Sequence, residues 1–88
     1  MADEDTLLEF PCQFSVKAMG ESAPDFDDLV LDLVAAHVDE RDSLALRSKP
    51  SSAGKYTSVT VTFTATSKSQ LDAIYLSLTA HERVKMAL

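Results

Sequence analysis

The sequence predicts a two-layer α+β domain, in which two helices cover one face of an antiparallel sheet and leave the other face open. Four segments alternate apolar with polar residues at a period of two, as half-buried strands do. Two further segments repeat apolar residues at helical spacing. The strands of a sheet that is covered on both faces are near-continuous apolar runs. Here every second residue of each predicted strand is polar, so one face of the sheet is expected to be uncovered.

Length and composition limit the chain to one compact core. A chain of 88 residues buries only about 60 to 65% of its unfolded surface and has no apolar material for a second core. No apolar run approaches the roughly 18 residues that span a bilayer. The acidic start is unlike a secretory signal, and the lone Cys12 has no partner for an internal disulfide. We therefore expect a cytoplasmic protein that is not inserted in a membrane.

The first half of the chain predicts an arm, a strand and a helix. Residues 1–9 are acidic without a sustained period and predict a flexible N-terminal arm, with a single domain over 10–88. A strand over 12–18 is followed by Gly20, which permits a sharp turn. The Ser22 to Asp25 stretch has the form of a capping box with a proline in the first turn, so a helix is expected to begin there.

The rest of the chain completes the order strand, helix, strand, strand, helix, strand. With right-handed crossovers and two apolar helix stripes to bury, this order favours a ferredoxin-like βαββαβ sandwich, with sheet order 4-1-3-2 and both helices on one face. The remaining elements are a helical stripe from Phe26 to His37, an edge strand over 44–49 closed by Pro50, a turn over 51–55, a central strand over 58–65, a helix over 67–80 with Ser67 and Gln70 as its capping box, and a strand over 83–88.

The distribution of charge gives the main functional clue. The net charge is −6, yet five of the eight basic residues occupy the alternate strand positions whose side chains are expected to face solvent. No acid falls inside the predicted strand segments. We expect one cationic sheet face. It is either a solvated face kept soluble and guarded at its edges by charge, or a docking surface for a carboxylate-bearing ligand, an acidic partner or another copy of the chain. Its five predicted cations are Lys17, Arg47, Lys49, Arg83 and Lys85.

Two loops supply further candidate binding residues. Gly20 is expected either to let a ligand approach the backbone near a helix N-terminus or only to satisfy the dihedral angles of its turn. Ser52, Gly54 and Lys55 predict either a small anion-binding nest or ordinary turn chemistry, because the leading glycine of a phosphate loop is absent.

Several sharper functions lack the residues that they need. RNA binding on such a sheet uses aromatic platforms, but this face offers only Tyr56, on a chain of pI about 4.6. Cys12 falls on the inward parity, which predicts an inert thiol. His37 and His81 lie on separate helices, so neither a metal site nor an acid–base pair is expected. An acylphosphatase-like site needs an arginine in the first turn and an asparagine. The first turn here has no arginine, and the whole chain has no asparagine. We expect no cofactor, no metal and no catalytic group.

Several short residue patterns are spread over about residues 7 to 88: Phe10-Pro11 with Phe14, Lys17, Met19 and Gly20; Lys49-Pro50-Ser51-Ser52 with Gly54, Tyr56, Ser58 and Val59; Tyr75 with Leu78; and Val84, Met86 and Leu88. In these residues the sequence resembles a known family, the YbeD-like small bacterial proteins. The resemblance implies a ferredoxin-like fold similar to ACT regulatory domains, which bind small metabolites, and a cytoplasmic protein without an assigned enzymatic activity. It also implies a link with lipoate metabolism, as a regulator that binds lipoic acid. ACT domains bind effectors where the first strand meets the first helix, often through an Asp-x-Pro-Gly turn, of which only Gly20 is present here.

Three functional hypotheses follow. The first is a non-catalytic regulatory module that senses a small carboxylate or lipoyl-type metabolite. The second is an adaptor that docks an acidic protein on its basic sheet face. The third is an enzyme that acts near Gly20 or Lys55. The first two are preferred. A homodimer stays open as a partner, although a sheet-to-sheet dimer brings like charges together, and neither nucleic acid nor a membrane is expected.

Overall fold

The fold is a ferredoxin-like α+β sandwich, as the sequence predicts. The computed structural model describes residues 9–38, 44–51 and 53–88, so the predicted acidic arm lies outside the described residues except for Glu9, which is exposed. In this part of the chain, neither helix is long and apolar enough to cross a membrane. The elements are β1 (Cys12–Glu21), α1 (Phe26–Ala35), β2 (Ala45–Pro50), β3 (Tyr56–Ala65), α2 (Lys68–Ala80) and β4 (Met86–Ala87).

The four strands form one antiparallel sheet in the order β2-β3-β1-β4, which is the predicted order counted from the other edge. Strands β1 and β3 pair along their whole length, from Cys12 opposite Ala65 to Glu21 opposite Tyr56. Every residue of β2 is exposed, and Pro50 ends it, because proline cannot donate to a further ladder. The predicted central and edge strands are therefore confirmed.

The core lies between one face of the sheet and the two helices. The two central strands alternate, so every second residue of each points toward the helices, and most of these residues are buried; Cys12, Phe14 and Thr57, near the strand ends, are half-buried. The Phe14 ring adds an edge-to-face contact with Phe63, with ring centroids 6.2 Å apart. Because both helices pack on this side, the other face of the sheet is uncovered. The fully buried side chains include Val16, Phe26, Val30, Val34, Val59, Val61, Phe63, Ile74 and Leu78.

The two helices begin in different ways. At the start of α2, the Ser67 hydroxyl accepts a hydrogen bond from the Gln70 backbone N–H at 3.1 Å, which is the predicted N-cap. At the start of α1, Asp25 occupies the N-cap position, but its side chain makes no capping hydrogen bond. The Ser22 hydroxyl instead bonds the Thr57 hydroxyl of β3 at 2.7 Å. The capping box predicted for the first helix is therefore wrong.

Gly20 lies inside β1, opposite Thr57, and not in a turn. A Cβ added to it would collide with the Arg83 carbonyl oxygen and would lie 2.7 Å from two ring atoms of Phe26. The glycine is therefore required by the close packing of α1 and of the segment before β4 against the strand. The turn interpretation is wrong, while the approach of a ligand to Gly20 stays a prediction.

Candidate functional site: the open face of the sheet

The uncovered side of the sheet, which we call the open face, carries the outward residues of all four strands. Strand alternation places them, since every second residue of β1 and β3 points toward the helices and the residues between point to solvent. As predicted, Tyr56 is the one aromatic residue among the residues of this face, and it is half-buried. The open face consists of Gln13, Ser15, Lys17, Met19 and Glu21 of β1, Ala45, Arg47 and Lys49 of β2, Tyr56, Ser58, Thr60, Thr62 and Thr64 of β3, and Met86 of β4.

Three of the predicted cations converge on the open face. Lys17 and Arg47 both pair with Thr60, so they lie in one row across three strands, with their Cα atoms about 10 Å apart. Lys49 lies in the next row, opposite Ser58. All three are exposed, and none forms a salt bridge with any residue that the structure describes. The face therefore presents three positive charges with no described carboxylate paired to them. Its one acid is Glu21, because β1 extends beyond the predicted strand over 12–18, so the expectation that the strands contain no acid is wrong.

Hydroxyl groups fill the open face beyond the cations. The Ser15 and Thr62 hydroxyls bond each other at 2.8 Å, and the Gln13 amide donates to the Thr64 hydroxyl at 3.0 Å. These polar groups satisfy one another across the two central strands. A groove of about 350 Å³ lies beside them and is lined by Arg47. The groove therefore has both hydrogen-bonding groups and a positive charge in its lining.

Arg83 is not part of the open face. It lies in the turn before β4, and its guanidinium donates two hydrogen bonds to the Asp25 carboxylate, at 2.8 and 3.0 Å. The hydrogen bond from Arg83 lowers the pKa of the Asp25 carboxyl, and the same contact raises the pKa of the guanidinium. The prediction of Arg83 as an unpaired cation of the sheet is wrong, because an acid at the start of α1 neutralises it.

The side chains of the last strand, β4, point to the opposite faces of the sheet from those predicted. Met86 is opposite Met19, which points outward, and Ala87 is opposite the buried Ala18. Lys85, one residue earlier, therefore belongs to the covered side of the sheet, at its exposed edge. Its backbone N–H donates to the Met19 carbonyl at 2.7 Å. The apolar alternation over 83–88 predicts that Val84, Met86 and Leu88 point inward, but only Val84 is buried. The placement of Lys85 on the cationic face is thus wrong.

Arg83 and Lys85 line a separate cleft of about 410 Å³ at the junction of β1 with α1. Glu21 and Glu82 line the same cleft, so its charges are mixed. A carboxylate ligand entering it would meet two other carboxylates and a guanidinium that Asp25 already occupies. The cleft is therefore a poorer anion site than the open face.

The hairpin between β2 and β3 uses its polar groups within the turn. Gly54 has a φ of 75°, a left-handed conformation that favours glycine, and its N–H donates to the Ser51 carbonyl at 2.9 Å. The Lys55 ammonium lies 5.6 Å from the centroid of the Tyr56 ring. The turn chemistry is confirmed. Ser52 lies outside the described residues, and anion binding by Ser52, Gly54 and Lys55 stays a prediction.

A histidine–serine contact joins the two helices. The imidazole Nε2 of His37 and the hydroxyl of Ser77 are 2.8 Å apart, and the Gln70 amide donates to the His37 carbonyl at 2.8 Å. A nucleophile and its base stand at this distance, but no described residue bonds the second ring nitrogen to orient it. We assign the contact to helix packing. Sequence reasoning missed it, because His37 lies in the turn just after α1 and Ser77 is 40 residues further along the chain, on α2.

No group of potential metal ligands stands out in the described ranges. Within residues 9–38, 44–51 and 53–88, no three histidine, cysteine, aspartate or glutamate side chains are grouped as a metal ion requires. Cys12 is a free, half-buried thiol at the start of β1. The Tyr75 hydroxyl is partly buried on α2, and this burial raises its pKa.

The fold and the open face define a small ferredoxin-like domain with one uncovered cationic sheet surface. The solution structure of protein HP0495 from H. pylori is similar, with a TM-score of 0.73 over 92% of this chain and 85% of that chain. The two sequences are 16% identical, so this likeness shows the fold alone.

Sequence comparisons then give the family. A UPF0250 protein of Paraburkholderia phytofirmans is 45% identical over 84 residues, covering 96% of this chain and 94% of that protein. A UPF0250 protein of Chromobacterium violaceum is 45% identical over the whole of both chains, and one of Neisseria meningitidis serogroup A is 42% identical over 98% of this chain and 94% of its own. The family model described as "Protein of unknown function (DUF493)" matches residues 5–88. The chain therefore belongs to the DUF493 family, and its resemblance to the YbeD-like small bacterial proteins is confirmed.

Proposed function

We propose that the protein is a non-catalytic, cytoplasmic binding module that docks an acidic partner protein on the open face. One observation carries the proposal: Lys17, Arg47 and Lys49 lie together on an uncovered sheet with no described carboxylate paired to them. A concentrated local field of this kind steers an oppositely charged partner during encounter. The net charge of −6 repels such a partner at long range, so binding is expected to depend on local contacts.

The shape of the open face favours a protein over a small metabolite. Small-molecule sites are concave and bury most of their ligand, whereas the open face is an extended sheet surface, and its groove of about 350 Å³ beside Arg47 occupies only part of it. Ten-residue strands such as β1 and β3 give a surface about 33 Å long, and four strands give a width of about 15 Å. This is the scale of one side of a modest protein interface.

The same cations explain how a partner is selected. Arg47 presents a planar guanidinium that bonds a carboxylate through two parallel hydrogen bonds, while Lys17 and Lys49 act as mobile point charges. The hydroxyl of Thr60 lies between Lys17 and Arg47 in the same row and supplies a further donor or acceptor. An acidic segment that crosses the strands meets all of these groups at once.

A sensor of a small carboxylate or lipoyl-type metabolite is the second candidate. The cleft that contains Lys85 has a volume of about 410 Å³, which lies within the usual size of ligand sites. Its acidic rim and the occupied guanidinium of Arg83 weigh against an anionic ligand. Addition of lipoic acid tests this alternative: a rise in the melting temperature that Lys85→Glu abolishes would favour the sensor over the adaptor.

The adaptor proposal is tested by reversing charge on the open face. Affinity capture from the native cell, followed by mass spectrometry, compares the wild type with Arg47→Glu and with the control Lys68→Glu. The two variants change the net charge equally, but Lys68 is an exposed residue of α2 and lies off the open face. Acidic proteins retained by the wild type and the control, and lost from the first variant, are the expected result.

Two checks make this comparison decisive. Circular dichroism and thermal unfolding establish that both variants are folded, as expected for substitutions at exposed positions. If both lose the same captured proteins, total charge and not the open face governs binding. If neither loses any, docking on the open face is excluded.

A further inference from the structure

The corner of the open face next to its cations is apolar. Met86 and Leu88 are 52% and 64% exposed, and Met86 pairs directly with Met19. Leu88 exchanges two backbone hydrogen bonds with Lys17, at 2.8 and 3.0 Å, so it lies beside Lys17 on the same side of the sheet. We call Met19, Met86 and Leu88 the apolar corner.

The apolar corner and the cations are neighbours by the geometry of the sheet. Met19 is two residues from Lys17 along β1, so their side chains leave the same face about 7 Å apart. Met19 also shares a row with Ser58 and Lys49, which places Lys49 about 10 Å away across two strands. The positive charges and the exposed apolar side chains therefore form one continuous surface.

Resting on the proposed docking function, we infer that the partner presents an acidic segment with a large apolar side chain next to its carboxylates. Charge complementarity selects the carboxylates for Lys17, Arg47 and Lys49. The apolar side chain enters the corner of Met19, Met86 and Leu88, where burial of apolar surface adds affinity that salt does not screen. Methionine suits such a contact, because its unbranched, polarisable side chain adapts to differently shaped anchors.

The charges and the apolar corner are expected to make two different contributions to the binding free energy. The charges set the encounter rate and weaken with salt, whereas the apolar anchor slows dissociation. A partner with carboxylates alone leaves two large apolar side chains, Met86 and Leu88, exposed beside its contacts. Interfaces gain most of their affinity from a few buried anchors surrounded by weaker polar contacts, and the apolar corner is the place for such an anchor.

Peptide display on the full-length chain tests the inference. A random peptide library is selected against the wild type, against Met86→Ser/Leu88→Ser, against Lys17→Glu/Arg47→Glu, and against Leu76→Ser as a control for loss of an exposed leucine elsewhere. Leu76 is 68% exposed on α2. We expect the wild type and the control to enrich acidic peptides that carry a large apolar residue, whereas the Met86/Leu88 variant enriches acidic peptides without it.

Measured affinities then quantify the effect. For a peptide selected by the wild type, Met86→Ser/Leu88→Ser is expected to weaken binding about 10-fold or more, with a salt dependence like that of the wild type. Leu88→Ser alone provides the same test if the double variant unfolds. Acidic peptides without apolar enrichment would overturn the inference and leave the docking function standing. Peptides without acidic enrichment would overturn both.

Discussion

The two faces of the sheet differ in the side chains that they carry. The covered face is fully apolar at its centre, and no polar or charged side chain is buried among the described residues. The open face carries hydroxyls, three cations, the carboxylate of Glu21 and an exposed methionine. Since successive residues of a strand point to opposite faces, the residues that form the core and those of the proposed docking surface alternate along the same strands. Substitutions on one face should therefore leave the property of the other largely unchanged.

The largest expected effect is on the covered face. Phe26 is fully buried under β1, so Phe26→Ala removes its packing and leaves a cavity, and should lower the free energy of unfolding by about 3–5 kcal/mol. Urea denaturation measures this loss. Thr60→Ala, on the open face, is the matched control and should change stability by less than about 0.5 kcal/mol. Equal losses for the two variants would contradict the division between the faces.

Gly20→Ala should have the next largest effect. The added methyl meets the Phe26 ring and the Arg83 carbonyl, and overpacking of this kind costs about 1–3 kcal/mol. Phe26→Leu removes ring atoms from the same space, so the effects of Gly20→Ala and Phe26→Leu should not add in a double-mutant cycle. Simple additivity by urea denaturation would show that the ring does not press on Gly20.

The contact between the helices should contribute less. His37→Ala or Ser77→Ala removes one half-buried hydrogen bond and should lower the free energy of unfolding by about 1 kcal/mol. In a double-mutant cycle, the two substitutions should together cost less than the sum of the single losses. Independent effects would mean that the imidazole and the hydroxyl do not interact in solution.

The smallest effect should come from the exposed pair of Asp25 and Arg83. The pair lowers the pKa of the Asp25 carboxyl below its ordinary value of 3.8, so its stabilising contribution is present above that value and is lost as pH falls through the lowered pKa. Asp25→Asn should therefore be less stable than the wild type near neutral pH, and the difference should disappear in strong acid. Thermal unfolding from pH 2 to 7 measures it, and a difference that grows toward acid would contradict the pair.

Strand length explains why the sequence predicts one strand correctly and misplaces another. In β3, ten residues alternate without interruption, so only one register buries Val59, Val61 and Phe63 together. Strand β4 has two residues, and the turn after α2 sets which of them faces the helices. A shift of one residue inverts every side chain, which is why Lys85 and Met86 exchange their predicted faces.

The same limit applies to the candidate site. Lys17, Arg47 and Lys49 were predictable because each belongs to a strand whose alternation is set by neighbours on both sides or by an adjacent central strand. Arg83 was not, since its partner Asp25 lies 58 residues away in the chain and only the folded junction brings them together. Alternation predicts faces within a strand, but it carries no information about which distant acid reaches a basic side chain.

The tip of the β2–β3 hairpin offers a place from which the open face can be observed without being altered. A Cβ at Gly54 would have no neighbouring atom within 4 Å, and the adjoining Ala53 is exposed. A fluorophore attached through a cysteine at position 53, with Cys12 replaced by serine, would sit at one end of the sheet, beyond both layers. Its emission would then report the arrival of a bound segment in real time.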